Sequence, residues 1–430
     1  MCYRAAPRRA LTHARATAPR LGVTASSRAL PVSNPPPPPP LQVLTFHILT
    51  FTLYALLPAS STPGYVLRAD GHPSPTRLPG FATLLVVLLA AAAAVRAGVP
   101  ATLLWDHFAA VCAASCAFGV ALAAAFYARG LRLAAAGALD ERARCPTVDQ
   151  AAALGAPPLP RATAAEAAEF RARAPATAFY AGLSEFNPRL LGVDVKMWLY
   201  ATGAIQLALT AGSAVAADAR ARGGAAGLGA STAAALLAFF IAEYMWQEAV
   251  HCWTYDILRE RLGLKLLWGC TFFYPCFYAL PVGAAAAAAR DAPPAAAAAA
   301  AARFAAGWVL TRGANLQKHA CKTGARGPLF GGLVSMATVR GSGGRVLCAG
   351  FWGVSRHVNY LGEILQALAL ALPAVAASHS PLALLYPLYY VALFVPRQID
   401  DDRICAEKYG PEVWAEYVRA VPWRIVPGVW

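Results

Sequence analysis

Three polar clusters crowd the last 120 or so residues of this chain, each set among apolar runs. The first is Arg312-Gly313-Ala314-Asn315-Leu316-Gln317-Lys318-His319. The second runs Gly350-Phe351-Trp352-Gly353-Val354-Ser355-Arg356-His357-Val358-Asn359-Tyr360-Leu361-Gly362-Glu363, and the third runs from Arg397 through Asp400-Asp401-Asp402-Arg403 to Tyr409-Gly410. Charged and amide side chains beside lipid-length apolar segments are costly unless they pair or face a wet cavity. Three such clusters at one end of a membrane chain therefore imply a polar ligand site, and the reading they support is a membrane enzyme. Upstream, Glu243, Glu248, His251 and Asp256 lie in or beside another apolar run. An ionisable residue at that depth is a functional-site candidate. The competing reading ends the helix near Gln247 and leaves 248–261 as an interfacial stretch.

The elements that must position these residues are membrane helices. Hydrophobic residues make up 58% of the 430 and charged ones only 14%, against about a quarter charged in soluble domains. Apolar runs approaching the roughly 20 residues that cross a bilayer fall near 41–60, 80–99, 103–127, 197–218, 228–247, 264–287, 293–311, 361–377 and 381–396. They predict an all-α polytopic protein of about nine or ten spans. The sequence divides into a basic, Pro-rich tail (1–40) and a membrane domain (41–430), with a polar loop at 128–196 and the candidate pocket mainly in 312–430. Tyr409-Gly410-Pro411 ends one helix and opens another carrying Val413, Trp414, Tyr417 and Val418 on one face.

Net charge is +15, and part of it lies in the tail. No acid occurs from Met1 to Ala69, while six arginines fall in the first thirty residues. An Arg-rich, acid-free start followed by Pro35–Pro40 reads as a targeting extension or a disordered tail. Nucleic-acid binding does not follow, because the basic residues flank apolar spans and form no stripe. The ten cysteines show no CxxC pair and no zinc spacing, so no metal is expected.

Several segments together resemble the sterol reductase family, which includes Δ14-sterol reductases, 7-dehydrocholesterol reductases and the C-terminal half of the lamin B receptor. They are Asn187-Pro188-Arg189 with Asp194, Lys196, Met197 and Trp198; Glu248, Thr254-Tyr255-Asp256-Ile257, Arg261-Leu262-Gly263 and Trp268-Gly269; and the three C-terminal clusters. Order and spacing hold from about 180 to 430. Arg312-Gly313-Ala314-Asn315, Phe351-Trp352 and Val421-Pro422-Trp423-Arg424 look most like the plant-type Δ14 enzymes, while Trp268-Gly269-Cys270 and Asp400-Asp401-Asp402-Arg403 lean toward the 7-dehydrocholesterol reductases. The Arg-His-x-x-Tyr turn also resembles S-adenosylmethionine-dependent isoprenylcysteine methyltransferases, and a sterol-binding descendant without activity is a further alternative.

The resemblance implies NADPH-dependent reduction of a sterol ring double bond, by protonation and then hydride transfer, in the endoplasmic reticulum membrane. It carries nucleotide contacts onto Lys318, Lys322, Leu347, Trp352, His357, Asn359, Tyr360, Arg397, Asp401, Cys405, Lys408, Tyr409 and Tyr417. Lys318 and Lys322 lie one helical turn apart, and Arg397 and Asp401 repeat that spacing. Without the resemblance, the first pair reads as membrane-side anchors and the second as a local ion pair. The expected acid network is Asp256 and Glu248, on one face of a continuous helix, with Tyr255 or Tyr409 as relay. The alternative pairs Asp256 with Arg259 or Arg261. Two departures stand out: Asp400-Asp401-Asp402 replaces the family's Arg-Asp-Glu, and Lys322 stands where many relatives carry Arg.

Overall fold

The computed structural model describes residues 39–62, 75–136, 174–183, 188–258, 260–324, 327–341 and 344–430. The expected tail up to residue 38, residues 137–173 of the polar loop, Asn187 and Arg259 lie outside them. All nine apolar runs fall on helices. With the short helix that follows Gly410, they are numbered α1 (Pro39–Leu56), α2 (Gly80–Arg96), α3 (Phe108–Ala135), α4 (Val195–Ala221), α5 (Leu228–Trp246), α6 (Leu264–Ala286), α7 (Pro294–Lys322), α8 (Val358–Ser378), α9 (Leu385–Tyr409) and α10 (Pro411–Ala420). Six helical segments among the described residues are long and apolar enough to cross a membrane: α3 to α6, α8, and α9 with the turn before it. The count falls below nine because the apolar helices of α1 (from Pro40 to Leu56) and α2 are shorter than a span, and α7 is built on alanine with Arg303 and Arg312 inside it.

The α4 helix lies at the centre of the main core. Its Leu199, Ala204, Ile205, Leu207 and Ala214 are almost wholly enclosed, and α1, α2, α5 and α6 all pack on it. Asp194 caps its first turn by accepting from the Lys196 and Met197 amides at 3.1 and 3.2 Å. Lys196, fully buried, donates to the carbonyls of Ile257 and Glu260. The α6 helix widens to π-helical over Gly269–Phe277, around Pro275. Proline has no amide to donate and crowds the preceding turn, and one wide turn relieves both.

Helices α7 and α8 also cross closely. A Cβ on Gly307 would meet the Gly362 carbonyl at 2.6 Å, and one on Gly362 would meet Thr311 Oγ1 at 2.3 Å. Small residues let two backbones touch, and the polar groups uncovered there pair across the gap. Thr311 donates to the Asn359 carbonyl at 3.1 Å, and Gln366 Nε2 donates to Thr311 Oγ1 at 3.2 Å. Helix α9 continues through Pro396 to Tyr409, and Gly410, at φ +91°, makes the turn into α10. Outside the helices, the notable element is an antiparallel hairpin, Thr338–Gly341 with Gly344–Leu347.

Gly362→Leu should force α7 and α8 apart. Thermal melting of the detergent-purified variant is expected to show a loss of at least about 2 kcal/mol, in the range for overpacking a tight contact; an unchanged melting temperature would contradict the crossing.

Candidate active site

One cavity of about 440 Å³ draws its walls from α4 to α10, from the hairpin, and from the irregular stretch between α5 and α6. All thirteen side chains expected at a nucleotide line it, from Lys318 and Lys322 through Arg397 to Tyr417, and so do Tyr255 and Asp256. Its character changes along its length. Where α7, the hairpin, α9 and α10 meet, it is cationic, with Lys318, Lys322, Arg345 and Lys408. Among α5, α6, α8 and α9 it is lined by rings, including Tyr244, Phe273, Tyr274, Tyr278 and Tyr390.

The first two polar clusters are joined by one amide. Gln317, with no exposed surface, donates to the carbonyls of Ser335 and Ala349 at 2.8 and 2.9 Å and accepts from the Phe351 amide at 3.0 Å. Trp352 Nε1 donates to the Ala314 carbonyl at 2.8 Å. The turn Gly350–Gly353 is thereby fixed to α7.

The aspartate triplet is divided among three sets of partners. Asp400 accepts from the Tyr255 hydroxyl and from Arg403, both at 2.8 Å. Asp401 accepts from the Tyr360 hydroxyl at 2.7 Å. Asp402 receives Arg356 at 3.1 Å, His357 at 3.3 Å and Arg424 at 3.4 Å. Arg356 also donates to the Val421 and Pro422 carbonyls, which holds the chain end against α8. The acid at 400 therefore has work here that the family's base could not do, since it accepts a phenol. His357, Tyr360 and Phe394 form a stack, with interplanar angles of 9° and 7°.

The expected acid network is redrawn. The segment carrying it is not one helix: Glu248–His251 and Tyr255–Leu258 are separate single turns with a bend between them. Glu248 is consequently turned away from the cavity and buried beneath α1 and α2, where it accepts from Tyr54 at 3.2 Å and from the Gly80 amide at 2.8 Å. A Cβ on Gly80 would lie 2.2 Å from its Oε1. That makes Glu248 an interhelical tie. Asp256 does reach the cavity, but Arg397 donates to it at 2.6 Å. The pair is neither Arg397–Asp401 within one helix nor Asp256–Arg261 within one loop. Arg397 also covers the Tyr255 ring at 4.6 Å.

Sequence reasoning assigned no role to one carboxyl group on the aromatic part of the wall. Glu363, buried on α8, accepts from the Tyr244 hydroxyl at 2.5 Å. Behind Tyr244, Arg312 and Glu243 form a buried ion pair, and Arg312 lies over the Tyr244 ring. The available signal was an acid closing the second cluster one residue after Gly362. His251 packs its ring against Tyr244 at 4.4 Å. Burial, reinforced by Arg312, lowers its pKa to about 3, so it is a neutral imidazole at physiological pH and no cationic acid.

The match to known proteins agrees with this architecture. Residues 173–430 match the model of the ergosterol biosynthesis ERG4/ERG24 family, and the chain belongs to that family. It is 31% identical over 246 residues to the Δ14-sterol reductase of Arabidopsis thaliana, covering 57% of this chain and 64% of that one. The Δ14-sterol reductase of Methylotuvimicrobium alcaliphilum is 31% identical over 244 residues, 57% of this chain and 56% of its own. A probable 7-dehydrocholesterol reductase of Acanthamoeba polyphaga mimivirus is 27% identical over 247 residues, 57% of this chain and 55% of its own. The matches thus span less than two thirds of these relatives.

Burial raises the Glu248 pKa from 4.5 to about 7, opposed by the Gly80 amide and the Tyr54 hydroxyl. A carboxyl raised on folding favours the folded state below its unfolded pKa, and that advantage disappears as pH climbs through the folded value. At about 1.4 kcal/mol per pH unit, roughly 3 kcal/mol is lost between about pH 4.5 and 7. Thermal melts in detergent from pH 5 to 8 should therefore show Glu248→Gln flattening the decline seen in the wild type. Parallel curves would exclude Glu248 as the titrating group.

Proposed function

We propose that this chain reduces a ring double bond of a sterol at the expense of NADPH, with the Δ14 bond the favoured substrate and the endoplasmic reticulum membrane the setting. The observation that carries the reading is one continuous cavity that is cationic at one end and ringed by aromatic side chains at the other. Family membership and the similarity to Δ14-sterol reductases support it. The 7-dehydrocholesterol reductase similarity keeps the Δ7 bond as the second reading.

The residues present fit a reduced dinucleotide phosphate. Lys318, Lys322 and Lys408 bring positive charge to the wall, and Trp352 and Tyr417 bring flat rings. The buried Asn359 Oδ1 has no hydrogen-bond partner among the described residues, so an acceptor waits on the wall for a ligand donor. Bound there, the cofactor supplies hydride. The remaining tasks belong to the chain: hold the sterol, deliver a proton to one alkene carbon, and keep water from the tertiary cation on the other.

An unactivated alkene must be protonated before it accepts hydride, so the acid has to sit where the apolar rings hold the sterol. Among the described residues, the Tyr244–Glu363 pair meets that requirement. Asp256, engaged by Arg397, becomes the group that holds Arg397 between the two ends of the cavity, with Tyr255 beneath it. In this reading Glu363→Gln and Tyr244→Phe lower kcat about 100-fold or more, the scale of a lost general acid, with the NADPH KM little changed. Asp256→Asn chiefly raises the NADPH KM. If Asp256→Asn abolishes turnover with cofactor affinity intact, the proton comes from Asp256. The substrate test is expression in yeast lacking its Δ14-sterol reductase, with sterols read by mass spectrometry. Restored Δ14-reduced sterols are expected; unchanged accumulation of the Δ14 sterol would reject that assignment.

A further inference from the structure

Arg345 lies on the wall of the same cavity, and the proposed reaction assigns it no role. It stands on the second strand of the hairpin, with Arg340 opposite in register. Its Nη2 donates to the Cys321 carbonyl at 3.2 Å. Cys321 belongs to the last turn of α7, so the guanidinium lies beside the helix end that carries Lys318 and Lys322. Lys265 and Arg356, the other cations of the wall without an expected ligand role, are committed to Glu260 and Asp402. Arg345 has no carboxylate partner among the described residues. A carbonyl at a helix C-terminus satisfies one of its N–H donors and leaves four for something else. The hairpin is held in place, because α10 packs on its first strand.

The polarity of the cavity determines what that something is. A dinucleotide whose reacting ring lies against the phenols of α5, α6 and α8 must extend its adenosine toward the hairpin. Arg345 stands at that adenosine end, where a planar five-donor fork suits a phosphate monoester better than a hydroxyl. We propose that Arg345 binds the 2′-phosphate of the adenosine ribose and is the residue by which this protein distinguishes NADPH from NADH. The inference rests on NADPH being the cofactor and adds the residue that selects it.

Binding of fragments to the full-length protein in detergent separates the two ideas. Isothermal titration with adenosine 2′,5′-bisphosphate and with adenosine 5′-diphosphate should show the wild type preferring the first. Arg345→Gln should weaken the 2′,5′-bisphosphate roughly ten- to a hundredfold, the scale of a lost charge-assisted contact, while the 5′-diphosphate is unaffected. Arg345→Lys should fall between the two, retaining charge without the fork. In turnover, the NADPH-to-NADH ratio of kcat/KM should drop by the same factor, with the ligand-free melting temperature unchanged. Equal weakening of both nucleotides, or of neither, would overturn the assignment. A wild type that binds NADPH without preferring the 2′-phosphate overturns it as well, whereas failure to bind any nicotinamide nucleotide removes the cofactor reading and the inference together.

Discussion

The ion pair between Asp256 and Arg397 holds the candidate site together. The two residues are 141 positions apart, one on an irregular stretch and the other on the last long helix. Arg397 is 11% exposed and Asp256 28%, so neither charge is well hydrated without the other. Removing one partner leaves the survivor's charge uncompensated, at less than the roughly 3–5 kcal/mol of a fully buried pair. The contact fixes the cavity-facing side of this stretch to α9. The Tyr255 ring lies under the same guanidinium, and its hydroxyl reaches Asp400, the first acid of the triplet.

A second set of contacts holds the same stretch from the opposite side. Lys196 donates to the carbonyls of Ile257 and Glu260, at the end of the short turn that bears Asp256. Non-helical backbone among membrane helices is tolerated when its polar groups are satisfied within the protein, and a buried ammonium serves that need. The upstream motif with Asp194 and Lys196 thus acts at a distance: one caps α4, and the other fastens the loop that reaches the cavity. Gln317 does for the turn at 350–353 what Lys196 does for the loop at 255–260.

Much of this was legible in the sequence because lipid imposes a simple rule. Apolar runs marked nine helices, and the clusters between them marked the residues that share a cavity. What escaped was governed by partners far away in the chain. The apolar run ending near Thr311 understated α7, which continues to Lys322 because Arg312 and Gln317 find buried partners on other elements. The eight-residue spacing of Glu248 and Asp256 implied one face of one helix, yet no proline or glycine marks the bend between them. Glu363 and Glu248 are both buried acids beside apolar helices, and only the identity of the neighbours sends one to the cavity and the other beneath Gly80.

The π-helical turn in α6 bears on how such a chain can change over time. A widened turn holds one residue more than an α-helix of the same rise, and so absorbs a residue that at α-helical pitch would rotate the downstream half by about 100°. The register of Tyr274 and Tyr278 on the cavity wall, and of Tyr278 against Tyr386 and Tyr390 at 4.3 and 5.6 Å, therefore depends on the length of this segment as well as on its composition. Losing a single codon between Gly269 and Phe277 would let this stretch tighten to α-helical pitch with its second half near the present register, at the expense of the room that Pro275 uses. Within the wide turn a change of one residue in length is absorbed; elsewhere in α6 the same change would turn the phenols from the wall.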